Sequence, residues 1–234
     1  MKKTVLILLF VFLLVLSGCG GGGSHNDLPV NNIQWQDDDN GFLQFYTNDQ
    51  NYYNYYFVHC YDNTENLTSY TMELKKVSGY RNMGYGIVYS YADINNFNCI
   101  LIDTYGAYSV WTVSKGTWTK YQDWDNPALL KTGFNVVNTI TIGDDTSTFS
   151  NLIFNGSRAW CSIPRPSGKY GFIAFIGDSS LENFPNTPED MRFKNDTTTT
   201  TLSIASKSMN TNISSQISSG IINNPKVFQN IVSH

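Results

Sequence analysis

Residues 85–103 read YGIVYSYADINNFNCILID. Two runs rich in aromatic and β-branched residues, 85–91 and 97–103, flank a short polar stretch carrying Asp93, Asn95 and Asn96. That is the pattern of two strands joined by turn residues.

The same grammar extends in both directions. Towards the N-terminus lie LQFY (43–46), YYFVHCY (55–61) and YTMELKKV (70–77). Towards the C-terminus come YSVWTV (108–113), VNTITIG (137–143), NLIF (151–154), AWCSI (159–163), YGFIAFI (170–176) and MRFK (191–194). In VNTITIG, Ile140 and Ile142 share one face with Asn138 while Thr139 and Thr141 take the other, as in a half-buried antiparallel sheet. Asn155-Gly156 supplies two residues that tolerate positive φ and predicts a type I′ hairpin. No amphipathic helical period runs between Ile33 and Lys194. So many strands in roughly 160 residues must bury their apolar faces against each other, which predicts an all-β, two-sheet antiparallel sandwich.

Composition agrees. Aromatic residues make up 15% of the chain and charged residues also 15%, a balance suited to strands and turns. The formal net charge is −4, and loss of Lys2 and Lys3 with a cleaved leader would make it −4 − 2 = −6. A nucleic-acid partner calls for a basic surface and is excluded as an expectation.

The ordered segments resemble the concanavalin-A-like, laminin-G-like jelly-roll family of bacterial surface and secreted proteins. The matching places are Tyr85-Gly86, Asp93, Asn96-Phe97, Trp118, Trp124, Asn138, Asn155-Gly156, Gly171 and Phe193, best between Asn66 and Lys194. The chain departs from the pattern at Asn98-Cys99, where the family prefers an aromatic residue. The resemblance implies a jelly roll in which a first strand near Trp35 pairs with the last near Phe193.

The N-terminus carries an address. Lys2 and Lys3 precede an apolar run from Val5 to Leu16, shorter than the roughly 20 residues of a spanning helix. Leu16-Ser17-Gly18-Cys19 resembles a bacterial lipobox, which implies cleavage before Cys19 and acylation of its thiol. Two or more acyl chains hold a protein stably on a bilayer. The expected organisation is a signal peptide at 1–18, a lipidated Gly-rich leader at 19–32, the sandwich at 33–194, and a polar linker and tail at 195–234. In the tail Ile213, Ile217 and Ile221 leave open a short helix or a strand docked on the sandwich. The expected location is a bacterial cell envelope, with the outer membrane or cell surface favoured because Gly20 is not the aspartate of inner-membrane retention.

Chemistry is harder to place. Cys60, Cys99 and Cys161 permit at most one intramolecular disulfide among three pairings, or three free thiols. Glycoside hydrolysis needs two carboxylates across the bond, and the Glu-x-Asp-x-Glu pattern of laminarinase-like relatives is missing. Glu65, Glu73, Glu182 and Glu189 are isolated, with Glu73 in an edge-like polar strand. No catalytic residue is assigned. Tyr91, Asp93, Trp111, Trp118 and Trp124, with Tyr121, Asn95, Asp123 and Asn126 nearby, are the candidate ligand-binding set, because sugars stack on aromatic rings while amides and carboxylates hold their hydroxyls. Packing within the sheets is the competing role for the tryptophans. No cofactor is expected, although the family resemblance implies calcium as an option at Asp37-Asp38-Asp39-Asn40 or Asp144-Asp145. The expected function is a lipid-anchored, non-catalytic domain recognising carbohydrate or a surface protein. A divergent glycan-cleaving or keto-sugar-processing enzyme and a structural or adhesive envelope component are the alternatives.

Overall fold

A computed structural model describes residues 34–38, 40–49, 55–62, 67, 69–144, 148–176, 187–197 and 215–221. Cys19 and the leader lie outside the described residues, as do Asp39, Asp145, Glu65, Glu182 and Ile213. Among the described residues there is no helix, and none is long and apolar enough to cross a membrane.

Among the described residues fourteen strands form two seven-stranded sheets. In chain order they are β1 (Gln34–Asp37), β2 (Leu43–Thr47), β3 (Tyr55–Tyr61), β4 (Tyr70–Ser78), β5 (Tyr85–Asp93), β6 (Asn96–Ile102) and β7 (Tyr108–Ser114). Then follow β8 (Thr117–Asp125), β9 (Asn138–Asp144), β10 (Phe149–Phe154), β11 (Ser157–Pro164), β12 (Lys169–Phe175), β13 (Glu189–Asn195) and β14 (Ser215–Ile221). One sheet has the order β1-β2-β13-β4-β9-β10-β11 and the other β14-β3-β12-β5-β6-β7-β8, every pairing antiparallel. This is the expected all-β jelly-roll sandwich.

Two expectations need correcting. The strand at Trp35 does not pair with the strand at Phe193; β2 lies between them, with Trp35 opposite Phe45 and Phe45 opposite Met191. The ends still meet, because Trp35 and Phe193 rings pack at 5.7 Å across the intervening strand. Strand β4, with Glu73, is not an edge strand; β13 and β9 flank it, and its polar outer face is solvated. Strand β8 was not among the expected strands. Lys115 (φ 51°) and Gly116 (φ 74°) make its hairpin turn with β7, a pairing of types less diagnostic than Asn-Gly. For the tail, the docked strand is what forms: β14 pairs with β3 from Ser215 opposite Tyr61 to Ile221 opposite Tyr55.

The core between the sheets is aromatic. Phe57 packs on Phe45 at 5.5 Å, Phe172 stacks on Phe193 at 5.0 Å, and Tyr108 meets Phe154 at 4.8 Å. Asn138 is buried beside Ile140 and Ile142, as its alternation predicts. Its Oδ1 accepts from Lys131 N (2.8 Å) and Asn155 Nδ2 (2.8 Å), and its Nδ2 donates to Lys131 O (2.9 Å). Asn155 (φ 50°) and Gly156 (φ 84°) form the expected turn, and Asn155 Nδ2 also donates to Leu129 O. The two asparagines thus tie the 126–137 connection to the β10–β11 hairpin.

The second sheet has a further core on its other face. Residues alternating away from the first sheet, among them Tyr56, Val58, Val88, Phe97, Cys99, Trp111, Trp118, Ile173 and Phe175, form one buried cluster. Tyr56 on β3 and Trp118 on β8 pack edge-on at 5.2 Å although five strand spacings separate them. Flat, those spacings would hold them about 24 Å apart. The sheet therefore curls until its face closes on itself, and Tyr56 Oη donates across the closure to Ile94 O at 3.0 Å. Gly86 and Gly171 permit the curl: a Cβ on either would collide with a neighbouring strand, at the Ile100 or the His59 carbonyl.

Candidate functional site

The candidate set read from the sequence falls on and around this curled face. Trp118 lies within 6.1 Å, centroid to centroid, of Tyr56, Phe97, Trp111 and Phe175, so its faces and edges are occupied by other rings. Trp111 is buried, and its Nε1–H is satisfied by Ser109 Oγ at 2.9 Å. Tyr91 is buried and meets Phe97 at 6.0 Å. Trp124 is half-buried against the same cluster, its ring edge over Gly84. Asp93 is exposed but shapes the β5–β6 turn, accepting from Asn95 N (2.7 Å) and bidentately from Asn96 Nδ2 (3.0 Å each). Asp123 pairs with Lys120 at 2.7 Å, and Asn126 Nδ2 donates to Tyr105 O.

Cys60, Cys99 and Cys161 are free thiols. Cys60 and Cys99 sit in the curled core, where burial pushes Cys60 up to about 12 and Cys99 well above an ordinary thiol. Neither is available as a thiolate at neutral pH. Asp38, one member of the first acidic run, has its carboxylate engaged by Asn40 N, Phe42 N and Arg192 Nη1. Among the described residues no cluster of three His, Cys, Asp or Glu is placed to hold a metal.

The exposed aromatic surface lies elsewhere. Trp160, on edge strand β11, is 96% exposed, far beyond any other large apolar side chain of the described residues. It sits in a bulge: between Asn151 opposite Ser162 and Ile153 opposite Arg158, β10 spends one residue where β11 spends three. Bulges re-aim side chains at sheet edges. Beside it, Tyr121 of β8, 45% exposed, donates its Oη to Ser162 O at 3.1 Å. That bond joins the free edges of the two sheets. The sequence held a signal for Trp160, since Ala159 and Ile163 alternate inward in AWCSI and leave the tryptophan on the opposite face.

A second exposed group stands where the β4–β5, β6–β7 and β8–β9 connections converge. Arg81 lies over two rings, Phe134 at 5.1 Å and Tyr105 at 5.9 Å. Thr104 N and Oγ1 both donate to Arg81 O, and Gly133 N donates to Thr104 O at 2.8 Å. The β4–β5 connection is anchored from beneath by a fully buried ion pair, Lys76 with Glu189 at 2.8 Å. Lys76 Nζ donates to Tyr80 O and Glu189 Oε1 accepts from Tyr80 N, so both backbone polar groups of Tyr80 are held. Gly79, with φ 107°, is required there because a Cβ would run into the Glu189 carboxylate. Neither Trp160 nor Arg81 was in the candidate set; Arg81 meets its ring partners only after three separate loops are brought together.

No family model matches the chain, and no curated protein matches it in sequence. Solved structures match by shape. A carbohydrate-binding module of Bacillus subtilis matches with a TM-score of 0.42 at 11% identity, over 70% of this chain and 89% of that one. Sheep galectin-11, solved with glycerol, matches with a TM-score of 0.35 at 10% identity, over 56% of this chain and 95% of that one. A GH43 protein of Bacillus licheniformis matches with a TM-score of 0.42 at 11% identity, over 74% of this chain but 36% of that one.

Proposed function

We propose that this chain is a lipid-tethered, non-catalytic recognition domain of a bacterial envelope, and that it binds carbohydrate on the Trp160 side of the sandwich. The observation that carries the reading is the Trp160 indole, 96% exposed on edge strand β11. Sugar rings present flat C–H faces, and an indole held open to solvent is the surface that stacks on them. Tyr121 adds a second half-exposed ring on the adjoining sheet edge. The curled-face aromatics contribute rigidity instead, because their faces are already filled by one another.

The tether rests on the Leu16–Cys19 lipobox. The non-catalytic reading is supported by what the described carboxylates are doing. Glu73 pairs with Lys194, Glu189 with Lys76, and Asp38 and Asp190 with Arg192. A glycan array probed with the purified chain tests the binding reading. Trp160→Ala is expected to weaken any retained neutral glycan at least tenfold without moving the melting temperature, since so exposed a side chain leaves little packing to lose. Trp118→Ala should instead unfold or loosen the domain, at a cost of about 3–5 kcal/mol. Glycan binding unaffected by Trp160→Ala overturns the assignment. Retention of a protein with no sugar dependence would move the chain to the adhesive alternative.

A further inference from the structure

We propose that the Arg81 clamp is an anion site that receives the carboxylate of an acidic sugar, a uronic acid by class. The inference deepens the carbohydrate reading and rests on it, but it concerns a different surface from Trp160.

Five other cations of the described residues are matched to acids: Lys76 to Glu189, Lys120 to Asp123, Lys169 to Asp62, Lys194 to Glu73, and Arg192 to Asp38 and Asp190. Arg81 forms no ion pair among the described residues. Its partners are the rings of Phe134 and Tyr105, and its side chain is exposed. Both contacts are with ring faces and neither is a hydrogen bond, so the N–H donors of the guanidinium are not spent on them. A guanidinium with uncommitted donors can grip a carboxylate bidentately, a role in which lysine is a poor replacement.

The clamp is also held in place before any ligand arrives. The buried Lys76–Glu189 pair fixes Tyr80, the residue preceding Arg81. Thr104 fixes the Arg81 carbonyl, and Asp103 Oδ1 accepts from Tyr105 N (3.0 Å) and Ala107 N (2.8 Å), which sets the loop that carries the Tyr105 ring. Backbone positions fixed in advance leave only the side chains to order on binding, which lowers its entropic cost. Tyr105, 45% exposed beside the fork, offers a ring to the body of the ligand. This combination of planar cation and adjoining open ring fits a carboxylate attached to a sugar better than a bare anion. The chain as a whole carries net charge −4, so attraction must come from the local fork and not from the overall field. At physiological ionic strength that field is screened beyond about 8 Å in any case.

The test is calorimetric titration of the full chain with oligogalacturonate, with its methyl ester, and with acetate as a competitor. The acid is expected to bind at least tenfold more tightly than the ester, and acetate at equal carboxylate concentration should not displace it. Arg81→Lys, which keeps the charge and loses the fork, should abolish the preference for acid over ester while leaving the melting temperature unchanged. Tyr105→Ala should weaken the acid form by several-fold. Equal binding of acid and ester, a preference that survives Arg81→Lys, no binding of either, or full displacement by acetate each overturns the proposal. Trp160→Ala separates the two readings. It should leave the acid–ester difference intact, so a lost difference in Arg81→Lys and a lost neutral glycan in Trp160→Ala report on independent sites.

Discussion

His59 offers a direct reading of the core's electrostatics through pH. The residue lies in the middle of β3, 6% exposed, facing the first sheet, with the Trp35 ring at 5.4 Å and the Tyr61 ring at 5.1 Å. Its Nδ1 is buried and has no hydrogen-bond partner. Burial lowers its pKa from 6.5 to about 4, against an opposing pull from Asp37. The unfolded chain therefore takes up a proton that the folded chain refuses throughout the window from about 6.5 down to about 4. Stability contributed by the neutral imidazole is intact above 6.5 and is lost as pH falls through that window. At about 1.4 kcal/mol for each pH unit of that window, the whole loss is about 3 kcal/mol, of which about 2 kcal/mol has gone by pH 5. Other groups titrate nearby: burial raises Glu189, which acts in the opposite sense, while hydrogen bonds from Phe42, Asn40 and Arg192 outweigh burial to lower Asp38, which acts in the same sense. They are common to any pair of variants that differ only at position 59. Urea unfolding of the wild type and of His59→Phe at pH 7.5 and pH 5.0 isolates the histidine, since phenylalanine keeps a flat ring among Trp35 and Tyr61. The wild type is expected to lose about 2 kcal/mol more than His59→Phe between the two pH values. Equal losses, or a His59 proton resonance that titrates near 6.5 in the folded state, would refute the reasoning.

Two further outcomes follow from the fold and the leader. Gly86→Ala places a Cβ against the Ile100 carbonyl of the neighbouring strand, which has no flexible side chain to yield. Overpacking against backbone should cost about 3 kcal/mol or more and lower the melting temperature by about 6–12 °C in a domain of this size, read by calorimetry. Cys19→Ala should leave an unprocessed precursor free of incorporated palmitate in a bacterial host, whereas unchanged processing would remove the lipid tether.

Much of this architecture was legible because strands advertise themselves at period two. The pattern at 137–143 foretold the buried face of β9 residue by residue, and Asn155-Gly156 foretold its turn from positive φ. Asn138 was legible as a core position but not as a hydrogen-bonding hub, because its partners Lys131 and Asn155 come from two different connections. The insertion of β2 between β1 and β13 was not legible, since pairing order is decided by tertiary fit and the local pattern of Leu43–Thr47 suits several neighbours. The candidate ligand set was drawn from aromatic density, which does not distinguish a ring that faces solvent from one that closes a curled sheet. Gly86 and Gly171 were visible as family-like positions, but their physical role emerges only when backbones from adjacent strands approach them.

The curl explains why the exposed chemistry lies at the margins of the sandwich. An open concave face would offer a broad groove, but here Trp118 reaches across to Tyr56 and Phe175 and fills it. Closing the face brings β8 in beside β11, where Tyr121 bonds to Ser162, so the two free edges become one composite margin. In the first sheet β1 and β11 are the opposite edges, six strand spacings or about 29 Å apart in a flat sheet. Trp160 stands on the β11 edge. The packing that fills the curled face also sets β8 beside β11, where Trp160 stands. On that view, loosening the curled core with Gly86→Ala should weaken glycan binding at a surface that the substitution never touches.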